Sequence, residues 1–143
     1  FIAAAAVADY RPAEPAQQKI KKRAAPSSLK LEPVTDVLAT VAALEQRPFC
    51  VGFAAETEQL EQHAQRKRLR KGVEMIAANP VGGGRGFDSD DNELLLVWEG
   101  GQCWLPRDSK ARLARQLVDK IASLYSLRFN KEISSEHHAK HSA

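Results

Sequence analysis

The chain has 143 residues, which is enough for one domain with a hydrophobic core and too few for two ordinary domains. Its content of 43% hydrophobic and 27% charged residues is typical of a soluble globular protein and excludes a disordered chain. The net charge of +3 suits an anionic partner without indicating nucleic acid. The two cysteines, Cys50 and Cys103, form no CxxC pair, which argues against a disulfide framework or a thiolate metal site and favours a reducing cytoplasm.

The first eight residues are continuously apolar, and they predict a buried strand of a parallel sheet. They lack a basic segment and lead directly into Asp9, so we interpret them as a strand and not as the core of a signal peptide. No segment of the chain reaches the length of a membrane span. Such a strand normally has neighbours on both sides, and no initiator methionine precedes it. We therefore expect a fragment that lacks the first strand–helix units of its sheet.

Strands and helices alternate through the next seventy residues, which predicts an α/β fold with a Rossmann-like, three-layer, mostly parallel sheet. The elements that we predict there are a polar loop at 9–28, an extended piece at 29–31, a helix capped by Thr35 or Asp36 and ending near residue 46, a strand at 49–55, a helix capped by Thr57 and ending near residue 71, and a strand at 73–78.

The last third of the chain predicts a hairpin, a helix and a tail. Two apolar segments at 94–99 and 102–105 flank a pair of glycines, which is typical of an antiparallel β-hairpin. Asp108 or Ser109 caps a final helix with leucines at helical spacing. Residues 128–143 are polar and contain histidines, and we predict a disordered tail there, so that the folded domain covers residues 1–127.

The predicted sheet brings several segments to one rim, because ligands of open parallel sheets bind beyond the carboxyl ends of the strands. Asp9, the turn at Glu56-Thr57 and Asn79 all follow predicted strands. The Asp9 carboxylate is suited to accept hydrogen bonds from a ribose or a base. By itself, however, an aspartate after a strand is more often a simple turn residue.

Basic residues on the helix that follows Thr57 give the strongest physical signal. Arg66 and Arg70 form one column of like charge at i,i+4 spacing, and Lys67 and Lys71 form another. Each such pair destabilises an isolated helix by about 0.2–0.5 kcal/mol, a cost that a bridging polyphosphate would reverse. A solvated helix face remains the simpler alternative.

A second basic run, residues 19–23, lies in the polar loop, where long side chains can close over a ligand. The two basic runs leave open a second function, a nucleic-acid-binding α/β module. Few aromatic residues interleave with the basic ones, which argues against a platform for stacked bases.

Other patterns fail on inspection. The glycines at 82–86 are not followed by the Gly-Lys-Ser/Thr of a phosphate-binding loop, and no GxGxxG follows the first strand, which argues against a dinucleotide-dependent oxidoreductase. The acidic segment 88–92 lacks the glycine that a calcium loop needs. We predict no protein-built metal site, and the role of residues 86–92 stays open.

Six segments, in the same order along the chain, resemble the bacterial phosphopantothenoylcysteine synthetase domain, a phosphopantothenate–cysteine ligase. They are AAVADYRP at 5–12, KIKK at 19–22, VGFAAET at 51–57, AQRKRLRK at 64–71, AAN at 77–79 and GFDSDDN at 86–92. In that family the domain is the carboxy-terminal half of a bifunctional protein. The resemblance implies that FMN belongs to the decarboxylase half, which we expect to lie outside this chain. The resemblance extends from residue 1 to about residue 127.

The resemblance implies a cytoplasmic enzyme of coenzyme A synthesis with CTP, phosphopantothenate and cysteine as substrates and Mg²⁺ accompanying CTP. The phosphopantothenate carboxylate forms an acyl-cytidylate, from which the cysteine amine then displaces CMP. It also implies a homodimer, for which we expect the hairpin at 94–105 to supply part of the contact, with no nucleic-acid partner and no membrane association. The glycine-rich opening and an asparagine that handles the acyl intermediate belong before Phe1, so we expect no complete reaction from this chain alone.

The resemblance also implies roles for particular residues. Lys19 is the catalytic residue, a flap lysine that reaches the phosphates, and Asp9 contacts the ribose or cytosine. The other implied nucleotide contacts are Ala3, Ala4 and Ala5 around the base, Thr35, Asp36, Val37 and Leu38, Phe53 beside the nucleotide, and Lys67 and Lys71 on the triphosphate. At one of these contacts the chain departs from the family, because Val34 and Thr35 stand where the family has Asn and Pro.

Overall fold

The computed structural model describes residues 1–21, 28–82 and 90–140. It contains seven strands and three helices in these ranges: β1 (Ile2–Ala3), β2 (Tyr10–Pro12), β3 (Leu31–Pro33), α1 (Val37–Ala42), β4 (Val51–Glu56), α2 (Leu60–Lys71), β5 (Met75–Pro80), β6 (Asp91–Trp98), β7 (Gly101–Ser109) and α3 (Lys110–Lys140).

Five of the strands form one sheet in the order β1-β4-β5-β6-β7. The strands β1, β4 and β5 are parallel, and the hairpin β6–β7 adds two antiparallel strands. Gly100 has a φ of 78° in the turn of this hairpin, a conformation that glycine adopts without strain. The predicted α/β fold with an appended antiparallel hairpin is confirmed.

Successive side chains of the central strands point to opposite faces of the sheet and build one core on each face. The first core packs against α1 and α2 and includes Cys50, Ala54, Ile76 and Leu95. The second packs against α3 and includes Val51, Met75, Leu96, Leu113 and Leu117. Cys50 is completely buried, and burial raises the pKa of its thiol, which leaves it an inert core residue.

The amino ends of β4 and β5 are tied to α3 through Glu74, whose side chain is 14% exposed. One carboxylate oxygen accepts hydrogen bonds from Arg47 and Arg128, each at 2.7 Å. The other accepts from the Cys50 backbone N–H, also at 2.7 Å. A single carboxylate, just before β5, therefore binds two groups from the segment that leads into β4 and one group from α3.

Two strand predictions need correction. The strand expected over residues 1–8 is limited to Ile2–Ala3, because only these residues align with β4 and the exposed, alanine-rich segment that follows has low β-propensity. The loop expected over residues 9–28 begins with β2, which pairs with β3 in a separate two-stranded sheet.

The helix ends also differ from the predictions. The helix α1 ends at Ala42 and not near residue 46. The N-cap of α2 is Gln59 and not Thr57, and Gln59 has a left-handed φ of 48° with no side-chain capping bond. Local capping preference was overridden at this position by the turn that leads from β4 into the helix.

The tail predicted to be disordered from residue 128 is helical as far as Lys140. No glycine or proline occurs between residues 110 and 140 to end the helix. Contacts with the rest of the domain also stabilise the helix after its last core leucines. Arg128 pairs with Glu74, and the ring of Tyr125 lies edge-on to that of Phe49 with the ring centroids 6.0 Å apart.

Gly52 lets α1 pack directly on β4. A Cβ atom at this position would lie 2.5 Å from Leu38 Cδ2 and 2.9 Å from Ile76 Cδ1. Both distances are shorter than the contacts that non-bonded carbon atoms make in proteins. The glycine therefore fixes how near Leu38, in the first turn of α1, can come to the sheet.

We predict that Gly52→Ala lowers the free energy of unfolding by about 1–3 kcal/mol, the usual cost of overpacking a core. Urea unfolding measures the change. Leu38→Ala removes the closest clashing atoms, so the double variant should lose less than the sum of the two single losses. Strictly additive losses would show that Gly52 does not set the position of α1.

Candidate functional site

An open groove with a volume of about 460 Å³ lies at the β1 side of the sheet. Three parts of the chain form it: the segment that continues from β1, the residues at the start of α1, and side chains of β4 and α2. The lining residues are Phe1, Ile2, Ala3, Ala4, Ala5, Val7, Ala8, Asp9, Val34, Thr35, Asp36, Val37, Leu38, Phe53, Lys67 and Lys71.

Eleven of the twelve predicted site residues line this groove. They are Ala3, Ala4, Ala5, Asp9, Thr35, Asp36, Val37, Leu38, Phe53, Lys67 and Lys71. The twelfth, Lys19, is exposed in the connection between β2 and β3 and is not a lining residue. The predicted residues are separated by up to 68 positions in sequence, so their meeting in one groove is a result of the fold and not of local proximity.

The small sheet β2–β3 brings two walls of the groove together. The backbone N–H of Val34 donates to the Asp9 carbonyl at 2.9 Å, which places the end of the first segment beside the start of α1. An ion pair between Arg11 and Glu32, at 2.7 Å, joins the same two strands. The sequence prediction missed this pairing, and the opposite charges of Arg11 and Glu32 were the available signal.

Asp36 connects the two helices of the groove. Its Oδ1 accepts a hydrogen bond of 3.0 Å from the Ala39 N–H and so caps α1, while its Oδ2 is paired with the Lys71 ammonium of α2. The hydrogen bond from Lys71 holds the pKa of the Asp36 carboxyl below its usual value. The Lys71 side chain is only 16% exposed, whereas that of Asp36 is 43% exposed.

The structure separates the two basic columns of α2. Lys67 and Lys71 line the groove, whereas Arg66 and Arg70 are exposed and are not lining residues. Within 1–21, 28–82 and 90–140, Lys67 has no carboxylate partner. The lysine column therefore presents one ammonium without a partner and one that is held by Asp36.

Another contact at the rim was not predicted. Nδ1 of His63, one turn before Lys67, lies 3.0 Å from Oε2 of Glu56 at the carboxyl end of β4. This contact fastens the first turn of α2 to the strand that carries Phe53. It is one of the contacts that hold α2, and with it the lysine column, against the sheet.

The described part of the chain contains no group of three or more metal-ligating side chains close enough to hold an ion. The groove itself offers two carboxylates, those of Asp9 and Asp36. Mg²⁺ is usually held in proteins by one or two carboxylates together with substrate phosphates. This donor set therefore fits a magnesium ion that arrives with a phosphorylated ligand and does not fit a dedicated protein cage.

A larger cavity, of about 640 Å³, lies at the amino ends of β4 and β5. Its lining includes Arg47, Glu74, Trp98 and Arg128. The two arginines are paired with Glu74, so much of the charge in this cavity is neutralised within the protein. We therefore place the functional site in the smaller groove.

The predicted dimer contact falls on the hairpin β6–β7. In the described sheet β7 is an edge strand, and its Trp104 is 51% exposed. The homodimer stays a prediction. None of the helices in the described part of the chain combines the length and the apolar character that crossing a bilayer requires.

Comparison with protein families gives a match to the DNA/pantothenate metabolism flavoprotein C-terminal domain over residues 1–125. The coenzyme A biosynthesis bifunctional protein CoaBC of Vibrio cholerae serotype O1 is 52% identical over 125 residues, which cover 85% of this chain and 31% of that protein. The protein of the same name from Escherichia coli K12 is 45% identical over 130 residues, covering 87% of this chain and 32% of that protein. The chain thus spans about a third of the length of these relatives.

Solved structures agree with this match. A crystal structure of the C-terminal domain of CoaBC superposes with a TM-score of 0.64 at 28% identity, covering 85% of this chain and 52% of that one. The DNA/pantothenate metabolism flavoprotein from Streptococcus pneumoniae has the same fold, with a TM-score of 0.52 at 19% identity over 67% of this chain and 43% of that one. The family resemblance predicted from the six sequence segments is confirmed.

Proposed function

Because this chain belongs to the family of the DNA/pantothenate metabolism flavoprotein C-terminal domain, we propose that its groove binds CTP for the ligation of phosphopantothenate to cysteine in coenzyme A biosynthesis. The observation that carries the proposal is the meeting in one groove of eleven residues for which the family resemblance implies nucleotide contacts. The relatives are named for coenzyme A biosynthesis, which supports the proposed pathway. The two lysines in the groove support a phosphorylated ligand.

The proposed chemistry has two steps. The carboxylate of phosphopantothenate attacks the α-phosphorus of CTP, the bond to the β-phosphate breaks, and pyrophosphate leaves. The amine of cysteine then attacks the acyl carbon, the bond to CMP breaks, and an amide forms with loss of a proton. Activation is needed because a free carboxylate would have to expel oxide, whereas CMP is a good leaving group.

The apolar end of the groove suits the base. Ala3, Ala4 and Ala5 carry only methyl side chains, which leave room for a planar ring beside the backbone that continues from β1. The ring of Phe53 lies on another wall, where it can contact the nucleotide. Asp9 supplies a carboxylate to the lining, suited to accept hydrogen bonds from ribose hydroxyls or the cytosine amino group.

The basic end suits the triphosphate. Lys67 and Lys71 are one helical turn apart on α2, a spacing that lets neighbouring phosphates contact both ammonium groups. Phosphoryl transfer needs little covalent help from a protein, and catalysis depends mainly on positioning and on neutralising charge. These lysines would hold the leaving pyrophosphate in line with the α-phosphorus.

Mg²⁺ would be held by the phosphates with help from Asp9 or Asp36, and when bound it would neutralise charge on the phosphate oxygens. The residues of the chain orient the nucleotide around it.

Lys19 has a separate place in the proposal. It lies in the connection between β2 and β3, the two strands that join the walls of the groove. The long side chain of an exposed lysine at this position can swing toward bound phosphates. We propose that it reaches them during catalysis.

The first prediction concerns nucleotide binding by the chain. We expect Lys67→Gln and Lys71→Gln each to raise the dissociation constant of Mg·CTP about tenfold, the loss of one charge-assisted contact. Calorimetric titration at neutral pH measures it. Arg66→Gln removes the same charge from an exposed position on the same helix and should change the constant less than about twofold.

Failure of the unsubstituted chain to bind CTP would contradict the proposed function. An equal loss in all three variants would also contradict it, because it would indicate general attraction of anions. In that case salt-dependent binding of DNA or RNA becomes the better account of the basic residues.

The second prediction tests the ligation. In a chimera, this chain replaces the matching segment of the Vibrio cholerae relative, and pyrophosphate release is measured with CTP, phosphopantothenate and cysteine. We expect Lys19→Gln to lower turnover by at least about tenfold, because a charge that neutralises the departing pyrophosphate is lost. Lys30→Gln, in the same connection, serves as the matched control. Equal turnover of the Lys19→Gln and unsubstituted chimeras would remove Lys19 from the catalytic residues.

A further inference from the structure

One of the two lysines of the groove forms an ion pair within the protein. The Lys71 ammonium is paired with the Asp36 carboxylate, and the Lys71 side chain is only 16% exposed. Lys67, one turn earlier on the same helix, has no such partner in the described part of the chain. A polyphosphate that uses both lysines therefore meets one free ammonium and one that an internal anion already holds.

We propose that Asp36 is an internal competitor of the polyphosphate: its carboxylate holds Lys71 while the groove is empty and gives up part of that contact when phosphates bind. The inference rests on the proposed function and adds to it a residue that sets how tightly the site holds triphosphate and pyrophosphate.

The competition follows from the charges. A lysine ammonium has three N–H donors, so geometry alone would let it serve a carboxylate and a phosphate together. A phosphate that reaches Lys71, however, comes close to the negative charge of Asp36, and like charges at such distances repel. Asp36 is 43% exposed, so solvent screens this repulsion and limits its effect. We expect the carboxylate to weaken polyphosphate binding by about two- to fivefold, the range of partly exposed ion pairs.

Because the two oxygens of Asp36 have different partners, Lys71 can leave one of them without disturbing the cap of α1. Oδ1 caps α1 through the 3.0 Å bond from Ala39 N–H, independently of the Oδ2 contact with Lys71. When Lys71 turns to a phosphate, the cap remains and α1 keeps its start. When pyrophosphate leaves, the carboxylate is still beside the ammonium and pairs with it again. Asp36 would thereby favour release of pyrophosphate and oppose its return.

Asp36→Asn separates the two roles of the side chain. Asparagine keeps an oxygen that can cap α1, and it is as good an N-cap as aspartate, but it carries no charge. We expect this variant to bind CTP and inorganic pyrophosphate about two- to fivefold more tightly than the unsubstituted chain. Calorimetric titration is done in the presence of EDTA, so that the carboxylate acts only on Lys71 and not on a metal ion.

Two controls make the test specific. Cytidine, which has no phosphate, should bind the variant and the unsubstituted chain equally. In a Lys71→Gln background, Asp36→Asn should have a clearly smaller effect on pyrophosphate binding, because no ammonium then draws a phosphate next to the Asp36 charge. Thermal unfolding establishes that all four proteins of the cycle are folded.

The outcomes distinguish this inference from the proposed function. CTP binding could depend on Lys67 and Lys71 and yet be unchanged or weakened by Asp36→Asn. In that case Asp36 does not compete with the polyphosphate, and it positions Lys71 or contacts the nucleotide directly. If neither chain binds CTP or pyrophosphate, the proposed function and the inference fail together. An Asp36→Asn gain of the same size without Lys71 would also overturn the inference, since it would reflect net charge and not competition for that ammonium.

Discussion

The two helices beside the groove meet at one carboxylate. The helix α1 has only six residues, and a helix of that length is not stable without help from its surroundings. Asp36 supplies part of that help, because one oxygen caps the helix and the other is paired with Lys71 of α2. Leu38 supplies another part, because Gly52 lets it pack directly on β4. The wall of the groove that α1 forms therefore depends on the ion pair of Asp36 with Lys71 and on the absence of a side chain at Gly52.

The same arrangement explains why the groove suits a phosphorylated nucleotide. Methyl side chains, Phe53 and two lysines of α2 line the same groove, so it offers contacts for both apolar and charged parts of a ligand. In the part of the chain that the structure describes, Lys71 is paired with a partly exposed carboxylate and Lys67 has no carboxylate partner. A site built in this way can bind and release a highly charged ligand without leaving an unpaired buried ion behind.

Sequence reasoning succeeded where the signal is repeated over many residues. The apolar runs around Val51 and Met75 indicated the parallel strands, and the two glycines after Trp98 indicated the hairpin. Rules for single positions were less reliable. Thr57 was expected to cap α2, but the turn after β4 placed Gln59 there. The strands β2 and β3 pair residues that are about 20 positions apart in sequence, and each strand has only three residues. Strands of that length are too short for an alternating hydrophobic pattern to indicate them.

The most direct test of the account is a CTP titration of the ¹⁵N-labelled chain followed by NMR. If the groove is the nucleotide site, the amide signals of Ala3 to Asp9, of Thr35 to Leu38 and of Lys67 and Lys71 should shift together with one dissociation constant. The signals around Glu74 and Trp98, in the larger cavity, should stay in place. Shifts centred on Glu74 and Trp98, or no saturable shifts at all, would contradict the central claim.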